Sequence, residues 1–148
     1  MQSKSLDSFF HLGLTFNNDG TKMYTVKADN ENTHLDAVIE HILTTPYDIS
    51  TATVNNTKIV FIDGPADTQA TQVVFNNDGT KMFIVNHGHQ KEIDYWSLTT
   101  AFDISTANLD GRYDISGQEI RANSVAFNND GTRMIVAGAG NMRQHRIH

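Results

Sequence analysis

Three times along the chain an apolar run meets the same polar tetrad and then a second apolar run. Leu14-Thr15-Phe16 leads into Asn17-Asn18-Asp19-Gly20 and out through Met23-Tyr24-Thr25-Val26. Val73-Val74-Phe75 leads into Asn76-Asn77-Asp78-Gly79 and out through Met82-Phe83-Ile84-Val85. Val125-Ala126-Phe127 leads into Asn128-Asn129-Asp130-Gly131 and out through Met134-Ile135-Val136-Ala137. Asp-Gly between apolar segments is a strong hairpin signal, because glycine accepts positive φ and aspartate tolerates it. The β-branched and aromatic flanks suit a pleated surface. Each phrase therefore predicts an antiparallel hairpin. Asp19, Asp78 and Asp130 are read as turn residues, since a calcium loop needs more acidic ligands at alternating positions.

A second phrase recurs between the hairpins. Leu43-Thr44-Thr45-Pro46-Tyr47-Asp48-Ile49-Ser50-Thr51-Ala52 returns as Leu98-Thr99-Thr100-Ala101-Phe102-Asp103-Ile104-Ser105-Thr106-Ala107. Its Thr, Asp and Ser residues supply turn chemistry, and its aromatic can pin the loop to a sheet. The anchoring Phe16, Phe75 and Phe127 are spaced 59 and 52 residues apart, close to the period of a four-stranded propeller blade. The first unit then reads as strands A, B, C and D over 9–16, 21–27, 37–43 and 58–62. The second reads 72–75, 80–85, 92–98 and 112–115. The third reads 124–127, 132–137 and 143–148, with no fourth strand. The expectation is an all-β propeller of three blades, spanning 7–63, 67–116 and 119–148. Residues 35–43 form the only run that could compete as a helix, and strand pairing suits them better.

Composition narrows the functional classes. The 148 residues carry a formal net charge of −6, and basic residues do not cluster, which disfavours nucleic acid. No apolar run approaches the ~20 residues that cross a bilayer, and residues 1–7 lack the apolar core of a secretory leader. There is no cysteine, so disulfides and thiolate metal sites are absent. No nucleophile elbow, paired-carboxylate signature or phosphate-binding glycine loop is present.

The pattern Phe-x-x-Asp-Gly-Thr-Lys-Met followed by Leu-Thr-Thr-Pro-Tyr-Asp-Ile-Ser-Thr-Ala resembles a family of bacterial and phage-associated β-propeller repeats. It is also loosely similar to the WD-repeat-like blades of TolB-type proteins. The resemblance implies the propeller fold over nearly the whole chain and carries no catalytic motif.

Three blades do not close a ring, because propellers commonly use 4–8. An open arc leaves strand edges and apolar faces uncovered. Two copies make six blades, and residues 2–4 fall in phase with a D strand. The expectation is a homodimer in which residues 1–5 pair with 143–148 of the partner copy. A fragment of a longer propeller is the alternative.

Propeller geometry puts the repeated A–B and C–D loops on one face and the divergent B–C and D–A loops on the other. Divergent loops are where recognition concentrates. His34, His87 and His89 fall in B–C loops, His11 opens strand A, and Glu119 and Arg121 lie in the last D–A loop. These six form the candidate ligand-binding set. His87 and His89 flank one residue on an extended segment, so both imidazoles can reach one side, a geometry that suits a divalent metal. His41, His145 and Trp96 lie in C strands and read as structural. The first functional expectation is a non-catalytic module, without cofactor, that binds a glycan or protein through the variable face. The alternative is a metal-dependent hydrolase or lyase with a histidine-lined mouth.

Overall fold

The computed structural model describes residues 10–28, 36–62, 68–88, 91–117, 122–128, 132–138 and 143–146. Alternating side chains and Asp-Gly turns produce three antiparallel sheets. Blade one orders β1 (Phe10–Phe16), β2 (Lys22–Ala28), β3 (Asp36–Leu43) and β4 (Ala52–Ile62) side by side. Blade two repeats this with β5 (Thr68–Phe75), β6 (Lys81–Gly88), β7 (Glu92–Leu98) and β8 (Ala107–Asp114). Blade three has β9 (Ala122–Phe127), β10 (Arg133–Gly138) and β11 (Arg143–Arg146).

The first two tetrads are turns, as their chemistry predicts. In blade one the Asp19 carboxylate accepts from the Thr21 amide at 2.9 Å and the Thr21 hydroxyl at 2.6 Å. Asp78 does the same for Thr80 at 2.9 and 2.5 Å. The first asparagine of each tetrad closes the hairpin: Asn17, Asn76 and Asn128 accept from the amides of Lys22, Lys81 and Arg133. Asp130 lies outside the described residues. The second phrase packs on the first. Tyr47 and Phe102 lie over Gly20 and Gly79, both at φ +71°, where any Cβ would collide with the ring. The Tyr47 amide donates to the Gly20 carbonyl at 3.0 Å, and the Phe102 amide to Gly79 at 2.9 Å. Both repeated loops therefore share one end of blades one and two.

The fourth strands of blades one and two start well before the sequence predicts. A single 3-10 turn at Ile49–Thr51, capped by Asp48, returns the chain at once, so Leu43 already pairs with Ala52. The turn at Ile104–Thr106, capped by Asp103, does likewise, and Leu98 pairs with Ala107. The fourth strands consequently begin at Ala52 and Ala107 rather than at 58 and 112.

Successive blades pack face to face. Tyr24, Val26 and Val38 of blade one bury against Ala70, Val73, Met82 and Ile84 of blade two. Phe83, Val85 and Ile93 bury against Ala122, Val125, Met134 and Val136 of blade three. Rings mark each junction, with Tyr24 4.6 Å from Phe75 and Phe83 4.5 Å from Phe127. Polar bonds stitch the same seams: the Ala70 amide donates to Asp36 at 2.6 Å, and the Val125 amide to Gln72 at 2.7 Å. A smaller cluster of Met23, Leu43 and Ala52, with Phe16 beside it, lies on the face of blade one turned away from blade two.

Candidate functional site

That outward face of blade one holds a cavity of about 300 Å³, whose walls include His11, Thr25, Met23, Leu14 and Ile49. Strand register places its polar groups. Met23 pairs with Phe16 and with His41, so all three share one face. Thr25 follows two residues after Met23 and points the same way. A bulge at Gly13, between Leu12 and Leu14, inserts one residue into β1 and turns His11 onto this face. Gly13 sits at φ +44°, and a Cβ there would collide with the backbone of Thr71 and Gln72. The glycine therefore lets β1 run close against β5.

These positions gather a short polar chain. His11 Nδ1 lies 2.9 Å from Thr25 Oγ1, and Thr25 Oγ1 lies 2.9 Å from His41 Nε2. The two rings meet edge on, with centroids 6.0 Å apart. Thr25 and His41 are buried, at 4% and 0% exposure, while His11 is half-buried at the cavity wall. A hydroxyl donates one hydrogen bond and accepts others. Between two imidazoles it can accept from one ring and donate to the other. Reversing both bonds moves a proton from one histidine to the other.

At the positions of His11 and Thr25 the other blades are apolar. Ala70 and Ala122 stand where His11 stands, and Ile84 and Val136 where Thr25 stands. Trp96 pairs with Met82, as His41 pairs with Met23. Trp96 packs at the junction of blades one and two, as expected of it. His145 pairs with Met134, so it shares the register of His41.

Among the described residues, the structure thus unites His11 with His41 through Thr25. His87 lies in β6, where its backbone pairs with Gln69. His34, His89, Glu119 and Arg121 lie outside the described residues, as do residues 1–5 and their expected pairing. Among the described residues, no group of three His, Asp or Glu side chains could hold a metal ion. None of their helices is long and apolar enough to cross a membrane. Sequence reasoning missed Thr25 altogether and set His41 aside as structural. The available signal was polar residues standing where the sister blades carry Ile84 and Trp96.

Other ionisable groups serve the blades. The Lys22 ammonium donates to the Phe102 carbonyl at 3.0 Å and lies 3.6 Å from buried Glu40. Arg112 donates to Asp94 at 3.0 Å, and burial pushes the Asp94 carboxyl above the usual carboxylate range.

No family model matches the chain, and no curated protein matches it in sequence. Solved structures do match. A candidate 6-phosphogluconolactonase from Bacteroides uniformis aligns over 95% of this chain and 37% of its own, at TM-score 0.71 and 13% identity. The periplasmic gluconolactonase PpgL of Pseudomonas aeruginosa aligns over 92% and 35%, at TM-score 0.66 and 14% identity. The C-terminal WD40 domain of Sif2 aligns over 97% and 36%, at TM-score 0.58 and 15% identity. The chain spans little more than a third of each. At these identities the likeness is one of fold, and it makes the chain an array of β-propeller blades. The expectation of a non-catalytic recognition module is overturned here. Two of these neighbours are named as lactonases, so enzymes are among the proteins that share this fold.

Proposed function

We propose that the chain supplies the hydrolytic blades of a propeller that opens a sugar-acid lactone, with the cavity on blade one as its site. The observation that carries this reading is the His11–Thr25–His41 chain of hydrogen bonds at the cavity wall. The lactonase names of structural neighbours support the substrate class. Lactone opening needs a base for water and an acid for the departing ring oxygen. His11 takes a proton from the attacking water as its oxygen bonds to the carbonyl carbon. Collapse of the tetrahedral adduct breaks the ring C–O bond, and the imidazolium returns the proton to the ring oxygen. The product is the open hydroxy acid, and the histidine ends as it began. Thr25 and His41 hold the His11 tautomer and offer an alternative seat for the proton. General acid–base catalysis of this kind contributes typically about 10²–10⁴-fold.

The expected site shifts accordingly from the variable loops to the blade face, and the reading assigns no cofactor. The test is hydrolysis of glucono-δ-lactone and its 6-phosphate, followed by pH-stat before and after dialysis against EDTA. A rate above the spontaneous one that survives EDTA supports the reading. No rate above background overturns it. A rate abolished by EDTA and restored by a divalent cation moves the chemistry to a metal site.

A further inference from the structure

We propose that Tyr95 and Tyr113 form an oxidative cross-linking site, at which a one-electron oxidant couples the two phenols into a dityrosine. The new bond staples β7 to β8, the third and fourth strands of blade two. Strand register brings the rings together. Tyr95 pairs with Gly111 and Ile93 pairs with Tyr113, so the two tyrosines are diagonal neighbours on one face. Aromatic side chains reach across such a diagonal. Gly111 opens the space for it. A Cβ there would stand 2.5 Å from the Tyr95 hydroxyl oxygen and 2.8 Å from its ring, so any larger residue would push the ring aside. The rings instead stack with centroids 4.5 Å apart and planes 28° from parallel. That is contact distance for a stacked pair.

The chain has four tyrosines, all among the described residues. Tyr24 packs on Phe75 and Tyr47 on Phe16, whereas Tyr95 and Tyr113 pack on each other. There is no cysteine whose thiol would compete for the oxidant. Both rings are half-buried on the face of blade two turned toward blade three. Loss of an electron needs no docked partner, so this partial exposure suffices. Burial, and Tyr95 beside it, push the Tyr113 phenol above the usual tyrosine range, so it enters the reaction as the neutral phenol. Each phenol gives one electron to the oxidant and its hydroxyl proton to water. The two phenoxyl radicals then pair their electrons in a bond between ring carbons ortho to the oxygens. Each of those carbons passes its hydrogen, as a proton, through solvent to its ring's oxygen, and both rings become aromatic again. Two electrons and two protons leave in all. Because the fold already holds the radicals in contact, coupling within the chain outruns encounters between chains.

The test flashes dilute folded protein with photo-excited ruthenium tris-bipyridyl and persulfate as the one-electron oxidant. The expected product runs as a single chain, fluoresces as dityrosine and is lighter by two hydrogen atoms. Proteolysis should release one cross-linked peptide pair, joined through Tyr95 and Tyr113. Tyr95→Phe and Tyr113→Phe keep the stacked rings, and each should abolish the intrachain product with an unchanged strand signal in circular dichroism. Tyr47→Phe should leave the product as it is in the wild type. Unfolding in guanidinium before the flash should remove most of it, since the fold is what brings the rings together. Dityrosine that persists in Tyr113→Phe, or that only joins separate chains, overturns the proposal. So does oxidation that ends on Trp96 or methionine with no cross-link. None of these outcomes depends on the lactone chemistry, which is placed on blade one.

Discussion

Thr25 is the residue on which the site turns. The repeat assigns its position to a junction side chain, and the sister blades fill it with Ile84 and Val136. Here a hydroxyl joins two imidazoles at 2.9 Å each. Thr25→Val keeps the shape and removes that link. It deprives the buried His41 ring nitrogen of its hydroxyl partner, a loss of about 1–3 kcal/mol. The expected result is a lower melting temperature and a lactone rate reduced at least tenfold, with both recovered by Thr25→Ser. Thermal melts and steady-state rates on the two variants check this. Equal rates in Thr25→Val and wild type would mean that the link is structural only. The sequence could not place His11 here, because plain alternation from Phe16 puts Leu12 on the cavity face and His11 on the other. The bulge at Gly13 reverses the order, and a lone glycine in an apolar run does not announce a bulge.

At the scale of elements, the first two hairpins were legible in full. Asn-Asn-Asp-Gly is local chemistry, and its hydrogen bonds span five residues at most. The hydrogen bonds from Thr21 and Thr80 hold the carboxyls of Asp19 and Asp78 below the usual carboxylate range. A depressed carboxyl stabilises the fold above its unfolded pKa and loses that contribution as pH falls through the folded one. Turn stability should therefore decline in acid, from roughly pH 4 downward. Asp78→Ala should cost on the order of 1 kcal/mol at neutral pH and flatten that acid dependence. Denaturant titrations at neutral and acid pH give both numbers. Lactone hydrolysis should stay at the wild-type rate, since Asp78 lies in a turn away from the cavity walls. A large loss of activity at unchanged stability would instead place a ligand on the turn face. The starts of β4 and β8 were less legible, because a 3-10 turn of three residues leaves no periodic signature.

For the whole molecule, the repeat predicted blades and the structure contains them. Blade order, strand order and the sharing of one end by both repeated loops follow from residues the sequence displays openly. The location of the site was not legible in the same way. Loop divergence pointed to His34, His87, His89, Glu119 and Arg121, whereas the described polar chain lies on a blade face. Faces of blades are normally consumed by packing, as both faces of blade two and the facing side of blade three are here. The register and its bulge recur in blade two, and what sets the outward face of blade one apart is His11, Thr25 and His41 where blade two carries Ala70, Ile84 and Trp96.

His11 is proposed to perform proton transfer on a lactone bound at blade one. The most direct test is the pH-stat rate of glucono-δ-lactone opening by wild type and by His11→Gln, at equal folded concentration. Glutamine keeps a polar group at the cavity wall but cannot take up a proton at neutral pH. The account predicts turnover above the spontaneous rate in the wild type and a fall of about 10²-fold or more in the variant. Equal turnover in the two proteins would contradict it.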